Sequence, residues 1–580
     1  MPSNLLVPVC FYSRGMANGF NYATSAAYGP PTQLALSTST TGGTGLATSQ
    51  AYFYKVTGTQ NGAETTASSE QTITTGASTT NSNVVTWNAL TGATGYRIYR
   101  GTATGVENVF YAVGNVTTFT DTGAASTAGT PPVVDGTADL GGTSQIVFRC
   151  AIPTTQIRLL FSNYQESSGG EIASPGTITV MASFQATAEV GTPVQVLFAG
   201  ATSVVILPGQ QVFSDIITLG TATIRDQIVA VRAYVQAAAG LGFPTGQYVA
   251  NTVASVTNYS GTKGANNYRK STNTPSLANG SNQLLTAGAA TWSAIGLSTS
   301  TFGYNALDVL GYASDGVVRP YVGLVGDSIM SGDSDSSDQM GGACVRGMVQ
   351  IGVPYIMVAR GGETAATFAK ANLSAQRLQR LRNCTIIFEQ YGTNDLKGGA
   401  TFATLQSTTL ALWRLLAQYG AQIIAVTQIP RVTGTLTSTT GQVVQSFEAA
   451  RQSYNAWIRA PISSGAGVSA SFDANAIGVT VAYICDPASY VETDINNTFP
   501  GGPGAPNLNG LWYCGAANTT QNTAEGTHPN AGGAVLMIPA FAGASTAIAA
   551  AIPATGGGGG VPAGQAIGNA GATGGVRGNS

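Results

Sequence analysis

From about Ala47 apolar and polar positions alternate. Ala51 to Thr57 places Tyr52, Tyr54 and Val56 on one face, and a turn follows at Asn61-Gly62. Val84 to Trp87, Tyr96 to Arg100 and Thr117 to Asp121 repeat the pattern. Short strands about ten residues apart with no helix between them predict a small antiparallel sandwich, with Trp87 and Tyr96 in its core. Residues 140–260 give five more such runs: Gln145–Arg149, Gln156–Asn163, Val194–Phe198, Ser203–Gly209 and Ile228–Val235. They predict a second, jelly-roll-like β domain.

After Pro320 the rhythm changes. Continuous apolar runs at Tyr321–Val325, Pro354–Ala359, Thr385–Phe388, Ala421–Thr427 and Val479–Ile484 alternate with amphipathic stretches at Thr364–Arg382, Phe402–Tyr419 and Val444–Ile458. Strands apolar on both faces, separated by helices, predict a parallel α/β sheet covered on both sides. The run Ala534–Ile552 is diluted by Gly, Ser and Thr and contains Pro539, so it predicts a core helix and no membrane span. The expected organisation is an anchoring arm and linker (1–43), the first sandwich (44–135), the β-rich domain (140–300), the α/β domain (301–552) and a Gly-rich flexible tail (553–580).

Composition narrows the function. Of 580 residues 9% are charged and 43% hydrophobic, with a net charge of -2. A chain so apolar can build cores, and one without a basic field does not bind nucleic acid through its phosphates. There is one histidine, and the six cysteines show no C-x-x-C pair, so neither a metal site nor a cofactor is expected. Cys485 and Cys514 could pair across a loop or stand as buried thiols. Met330, Met340 and Met348 are read as core fillers. The first ten residues lack a basic region and an apolar core, so no secretory signal is expected. An exported-looking composition without that signal leads to an expected virion or extracellular location, with residues 1–43 as the part that meets other virion proteins. A homo-oligomer is compatible with a fibre-like role, although no heptad is visible.

The chemistry falls at predicted strand ends, where ligands of parallel α/β sheets bind. The first strand runs into Gly326-Asp327-Ser328, the second into Arg360-Gly361-Gly362-Glu363-Thr364, and the third into Tyr391-Gly392-Thr393-Asn394-Asp395. Glu525-Gly526-Thr527-His528-Pro529 stands near the end. Acyl transfer needs a nucleophile, a base, an orienting group and donors for an oxyanion. Ser328 offers the hydroxyl, His528 the imidazole, Glu525 a carboxylate three residues earlier, and Asn394 an amide. Each motif alone is an ordinary turn or an ordinary histidine; their joint placement points to a site. Trp512 and Tyr513, in a Gly/Asn/Pro-rich segment, are candidate sugar-stacking residues or parts of a packed lid.

Two resemblances follow from these residues. Tyr52, Tyr54-Lys55-Val56, Trp87, Gly95 to Gly101 and Thr120-Asp121 resemble fibronectin type III-like modules of phage and bacterial surface proteins. The blocks Gly326-Asp327-Ser328, Gly362, Gly392-Thr393-Asn394-Asp395 and His528-Pro529 resemble SGNH hydrolases of the GDSL esterase/lipase superfamily. That resemblance implies Ser328 as nucleophile, His528 as base, and the Ser328 and Gly362 N–H groups with the Asn394 amide as oxyanion donors. Arg158 to Asn163 and Leu207 to Asp215 are similar to the β extension that precedes this domain in some members. One departure stands out. The family usually has Asp three residues before the His, and here Glu525 carries its carboxylate about 1.5 Å further, one C–C bond. The implied activity is carboxylic-ester hydrolysis, with O-deacetylation of a host surface or extracellular polysaccharide as the expected reaction. The other reading is a non-catalytic fibre or adhesin that grips glycan.

Overall fold

The computed structural model describes residues 6–10, 20–21, 29–60, 63–90, 93–133, 135, 141–186, 192–237, 243–244, 247–248, 302–335, 342–463, 479–498, 502 and 509–552. The expected Gly-rich tail, the Asn61-Gly62 turn and Met340 lie outside the described residues.

The first β region is two antiparallel sheets. One pairs Ala35–Ser39, Ser82–Thr86 and Thr118–Asp121. The other is built around Ala51–Gln60, Gly95–Gly101 and Glu107–Gly114. The alternation explains the core: Tyr54, Val56, Val85, Trp87, Tyr96 and Ile98 all point inward, and the Trp87 and Tyr96 rings stand 5.2 Å apart. Beneath them Tyr54 Oη donates to Asp121 at 2.7 Å, and Arg100 pairs with the same carboxylate.

The second β region holds two antiparallel five-stranded sheets. One contains Gly141–Arg149, Ile228–Ala237 and Ile178–Gln185. The other contains Thr154–Ser162 and Asp308–Ala313. Val7–Pro8 joins that second sheet, pairing with Leu310 and Gly311. Three strands therefore lie inside the stretch read as an arm, Val7–Pro8, Phe20–Asn21 and Ala35–Ser39; buried Val7 and Val9 hold the first against a hydrophobic face. The expected start of the α/β domain at 301 likewise precedes a strand that pairs with the β region. A short hairpin, Tyr164–Ser167 with Gly170–Ala173, projects from this part.

The third region is a five-stranded parallel sheet. Its strands are β1 (Val322–Gly326), β2 (Tyr355–Met357), β3 (Ile386–Gln390), β4 (Gln422–Val426) and β5 (Val481–Cys485), in the order β2-β1-β3-β4-β5. Buried Val322, Leu324, Ile386, Phe388, Ile424 and Val426 account for the continuous apolar runs. The expected helix Thr364–Arg382 is broken into Ala365–Phe368, a 3-10 turn at Ala371–Leu373, and Ala375–Leu381. The Ser374 hydroxyl donates to the carbonyl of Phe368, competing with the helical ladder. The helix expected from Val444 starts at Glu448, because Gln442–Val444 is spent on a hairpin with Val432–Gly434. The Ala534 run forms two helices, Ala531–Ala542 and Ser545–Ala550. Among the described residues no helix is long and apolar enough to cross a membrane.

All six cysteines are free thiols and all are buried, Cys485 and Cys514 included. Met330 and Met348 are fully buried, as core fillers should be. One hydrophobic core runs from the second β region into the parallel sheet.

Candidate active site

Strand β1 delivers Ser328. Asp327 sits at the strand end and caps the short helix Ser328–Ser331, its Oδ1 accepting from the Ile329 N–H at 2.9 Å. Asp327 is fully buried, and burial pushes its carboxyl up to about 8, with Asp395, Asp333 and Glu389 adding to the effect. Burial thus favours the neutral form of the acid beside the candidate nucleophile.

A loop near the chain's end delivers the imidazole. His528 Nε2 lies 2.6 Å from Ser328 Oγ. On the other side of the ring, Nδ1 pairs with Glu525 Oε1, which also accepts the His528 main-chain N–H at 3.2 Å. The extra methylene of Glu525 is accommodated because the loop doubles back: Ala524 N donates to His528 O at 2.8 Å, and the Thr523 hydroxyl donates to the same oxygen. Gly526 makes this possible. Its φ is +87°, and a Cβ there would stand 2.1 Å from the carbonyl oxygen of Val432. Its own carbonyl accepts from Val432 N and from the Trp512 indole. Ser328 is 6% exposed, whereas the Glu525 side chain is 49% exposed, so the row of hydrogen bonds runs from a sheltered hydroxyl to an open carboxylate.

Strands β2 and β3 supply the remaining groups. Gly361 packs on Ser328, a Cβ at Gly361 standing 3.6 Å from Ser328 Cβ. Gly362 follows with φ +76°. Asn394 lies on the helix Thr393–Lys397, and its Nδ2 donates to the carbonyl of Glu363 at 3.1 Å. Asp395, beside it, accepts from the N–H groups of Ala365 and Ala366 and so ties the third strand end to the second.

The sequence-predicted residues Ser328, His528 and Glu525 are therefore hydrogen-bonded in a row, and Gly362 and Asn394 meet at Glu363. Trp512 and Tyr513 are a correction. Trp512 is fully buried and Tyr513 nearly so, and the Trp512 indole braces the His528 loop, so neither offers an open ring face for stacking. Sequence reasoning missed Glu363, Arg377 and Tyr391, which are buried here; a lone Glu after a strand end, or a lone Arg inside a helical pattern, looks solvated. It also missed Arg431. That guanidinium lies within electrostatic range of Asp327 and Glu525, burial holds it below its ordinary value, and its Nη1 has no hydrogen-bond partner. Among the described residues no cluster of His, Cys, Asp and Glu could hold a metal ion.

No protein-family model and no curated protein matches the chain. Solved structures similar to it include GDSL-type lipolytic proteins. A lipolytic protein of the G-D-S-L family from Desulfitobacterium hafniense is 14% identical over 39% of this chain and 98% of that one, with a TM-score of 0.26. A GDSL-like lipase from Bacteroides thetaiotaomicron is 17% identical over 39% and 87%, with a TM-score of 0.24. Protein YXIM from Bacillus subtilis is 12% identical over 68% and 78%, with a TM-score of 0.27. At such values the chemistry has to be argued from the side chains themselves.

Proposed function

We propose that this protein is a serine esterase. Ser328 Oγ attacks an ester carbonyl while His528 Nε2 takes its proton. The tetrahedral intermediate expels the alcohol, which receives that proton from His528, and leaves an acyl-Ser328. Water, deprotonated by the same imidazole, releases the acid. Glu525 holds the ring with Nδ1 protonated, so that Nε2 is free to accept. The Ser328 and Gly362 N–H groups and the Asn394 amide bind the oxyanion.

The observation that carries this reading is the unbroken row Ser328 Oγ, His528 Nε2, His528 Nδ1, Glu525 Oε1. The chain has one histidine, and it is the residue in hydrogen-bond reach of the serine at the end of the first parallel strand. We further propose O-acetyl groups of an extracellular or host surface polysaccharide as the substrate, and a virion or extracellular setting. The weakly charged, Gly-rich composition and the two β regions ahead of the site support this. The burial of Trp512 favours this reading over a non-catalytic one in which its ring stacks on glycan.

Ser328→Ala tests the chemistry. It should lower p-nitrophenyl acetate turnover by roughly three orders of magnitude or more, and unchanged turnover would refute the esterase. Acetate release from acetylated polysaccharide by the wild type tests the substrate class.

A further inference from the structure

The two oxyanion groups that come from different strands converge on one residue. Glu363 follows Gly362 in the chain, and its carbonyl accepts from Asn394 Nδ2 at 3.1 Å. Its carboxylate is fully buried and accepts from Arg377 Nη1 at 2.7 Å, Arg377 Nη2 at 2.8 Å and Tyr391 Oη at 2.6 Å. Arg377 is also fully buried, and its ring contact is Phe368, 4.7 Å from the guanidinium carbon.

The chain of contacts does not stop within the α/β domain. Helix Ala375–Leu381 has no side-chain cap of its own from Ser374. The cap comes from the upstream β region: the Glu171 carboxylate accepts from Gln376 N at 2.9 Å and from Arg377 N at 2.8 Å. A carboxylate at this end satisfies two otherwise unpaired N–H groups and complements the helix dipole. Glu171 belongs to the hairpin Tyr164–Ser167 and Gly170–Ala173. The tip of that hairpin reaches the same loop. Ser168 Cβ stands 3.4 Å from where a Cβ on Gly362 would be, and Gly170, with φ +114°, lies against Leu373.

We propose that Glu363 is a positioning residue for the oxyanion-binding groups, and that the β-region hairpin sets its position through Glu171 and Arg377. This rests on the esterase reading. The physical argument is preorganisation. An oxyanion donor lowers a barrier only if it is already aimed where charge develops, and a displacement of about 1 Å can cost roughly 100-fold. A buried ion pair is a weak source of stability, because well-packed apolar side chains do as well. Three charge-assisted bonds to one carboxylate, whose own main chain joins both donors, act on geometry instead.

The test compares Glu363→Gln, Glu171→Gln and Tyr391→Phe with the wild-type protein. Steady-state kinetics on p-nitrophenyl acetate, inactivation by a p-nitrophenyl phosphonate and thermal unfolding are measured on each. Glu363→Gln should lower kcat by roughly 10- to 100-fold, a share of what losing one oxyanion donor costs, with KM within about threefold. Phosphonate inactivation should slow in parallel, since it also passes through an oxyanion. Glu171→Gln should show the same split at smaller size. Tyr391→Phe removes one hydrogen bond and neither charge nor volume to speak of, so it decides the matter if Glu363→Gln does not fold; its kcat should fall roughly 3- to 10-fold. A lowered melting temperature with wild-type kcat in Tyr391→Phe would make Glu363 merely structural and overturn the proposal. If Ser328→Ala is inactive while these variants keep full kcat, the positioning role alone fails. If Ser328→Ala is fully active, the esterase reading fails first.

Discussion

The two β regions read alike in sequence and serve opposite ends in the fold. The first sandwich closes on itself: Tyr54, Val56, Val85, Trp87 and Ile98 form a separate core, and its charges pair among themselves, Arg100 with Asp121, Arg97 with Glu64, Lys55 with Glu107. The second shares one core with the parallel sheet, and three of its carboxylates, Asp308, Glu166 and Glu171, find their partners on the α/β domain. Arg380 is held by Asp308 at 2.8 Å and by Glu166 at 3.3 Å, and Arg377 is capped by Glu171. Strand patterning thus reports that a sheet forms. Where the buried charges go reports whether that sheet belongs to the neighbouring domain.

Arg380→Met gives the largest expected contrast. It leaves Asp308 buried without a cation, which costs about 3–5 kcal/mol, and the second β region and the α/β domain should lose stability together in one calorimetric transition. Arg100→Met makes the matching lesion in the first sandwich. That sandwich should melt earlier while p-nitrophenyl acetate turnover stays within about twofold of wild type; a collapse of turnover would erase the distinction. Gly526→Ala comes next. It places a methyl against the Val432 carbonyl and forces an L residue to φ +87°, which should reduce kcat by roughly 100-fold through misplacement of His528. Glu525→Gln should cost roughly 10- to 100-fold, read as kcat with KM held.

The smallest effect is on pH and stability. Burial raises the carboxyl of Asp327 to about 8 and those of Glu166 and Glu389 to about 7. These groups hold their protons in the folded protein and lose them near pH 4 when unfolded. The folded state binds more protons between those limits, so stability falls as pH rises from about 4 to 8. The transition of the α/β domain should therefore lie higher at pH 5.5 than at pH 8. The first sandwich, where Glu107 is raised and Glu70 lowered, should move less.

The parallel sheet was legible because strands buried on both faces leave continuous apolar runs, and Ser328 was legible because it follows such a run directly. His528 stood out as the one imidazole. Glu363, Arg377 and Glu171 were not legible, since nothing local marks a charged side chain as buried; their partners lie on other elements, Glu171 and Arg377 being joined across more than two hundred positions. Trp512 misled for the related reason that a Gly/Asn/Pro-rich neighbourhood looks open, whereas Gln442 pairs with its main chain and the Gly526 carbonyl accepts from its indole. The break in the helix after Phe368 is a contest between a serine hydroxyl and the backbone, too close for periodicity to decide.

The pairing of Val7 with Gly311 has a consequence for biosynthesis. At about 5–20 residues per second, roughly 15–60 s separate the emergence of the two partners from the ribosome. The intervening sandwich has all it needs to fold in that interval, while the leading strand has only its contacts at Cys150 and Ala151 and still lacks its partner strand. A pause or truncation before Gly311 would release a chain with one finished module and an apolar end still seeking its place.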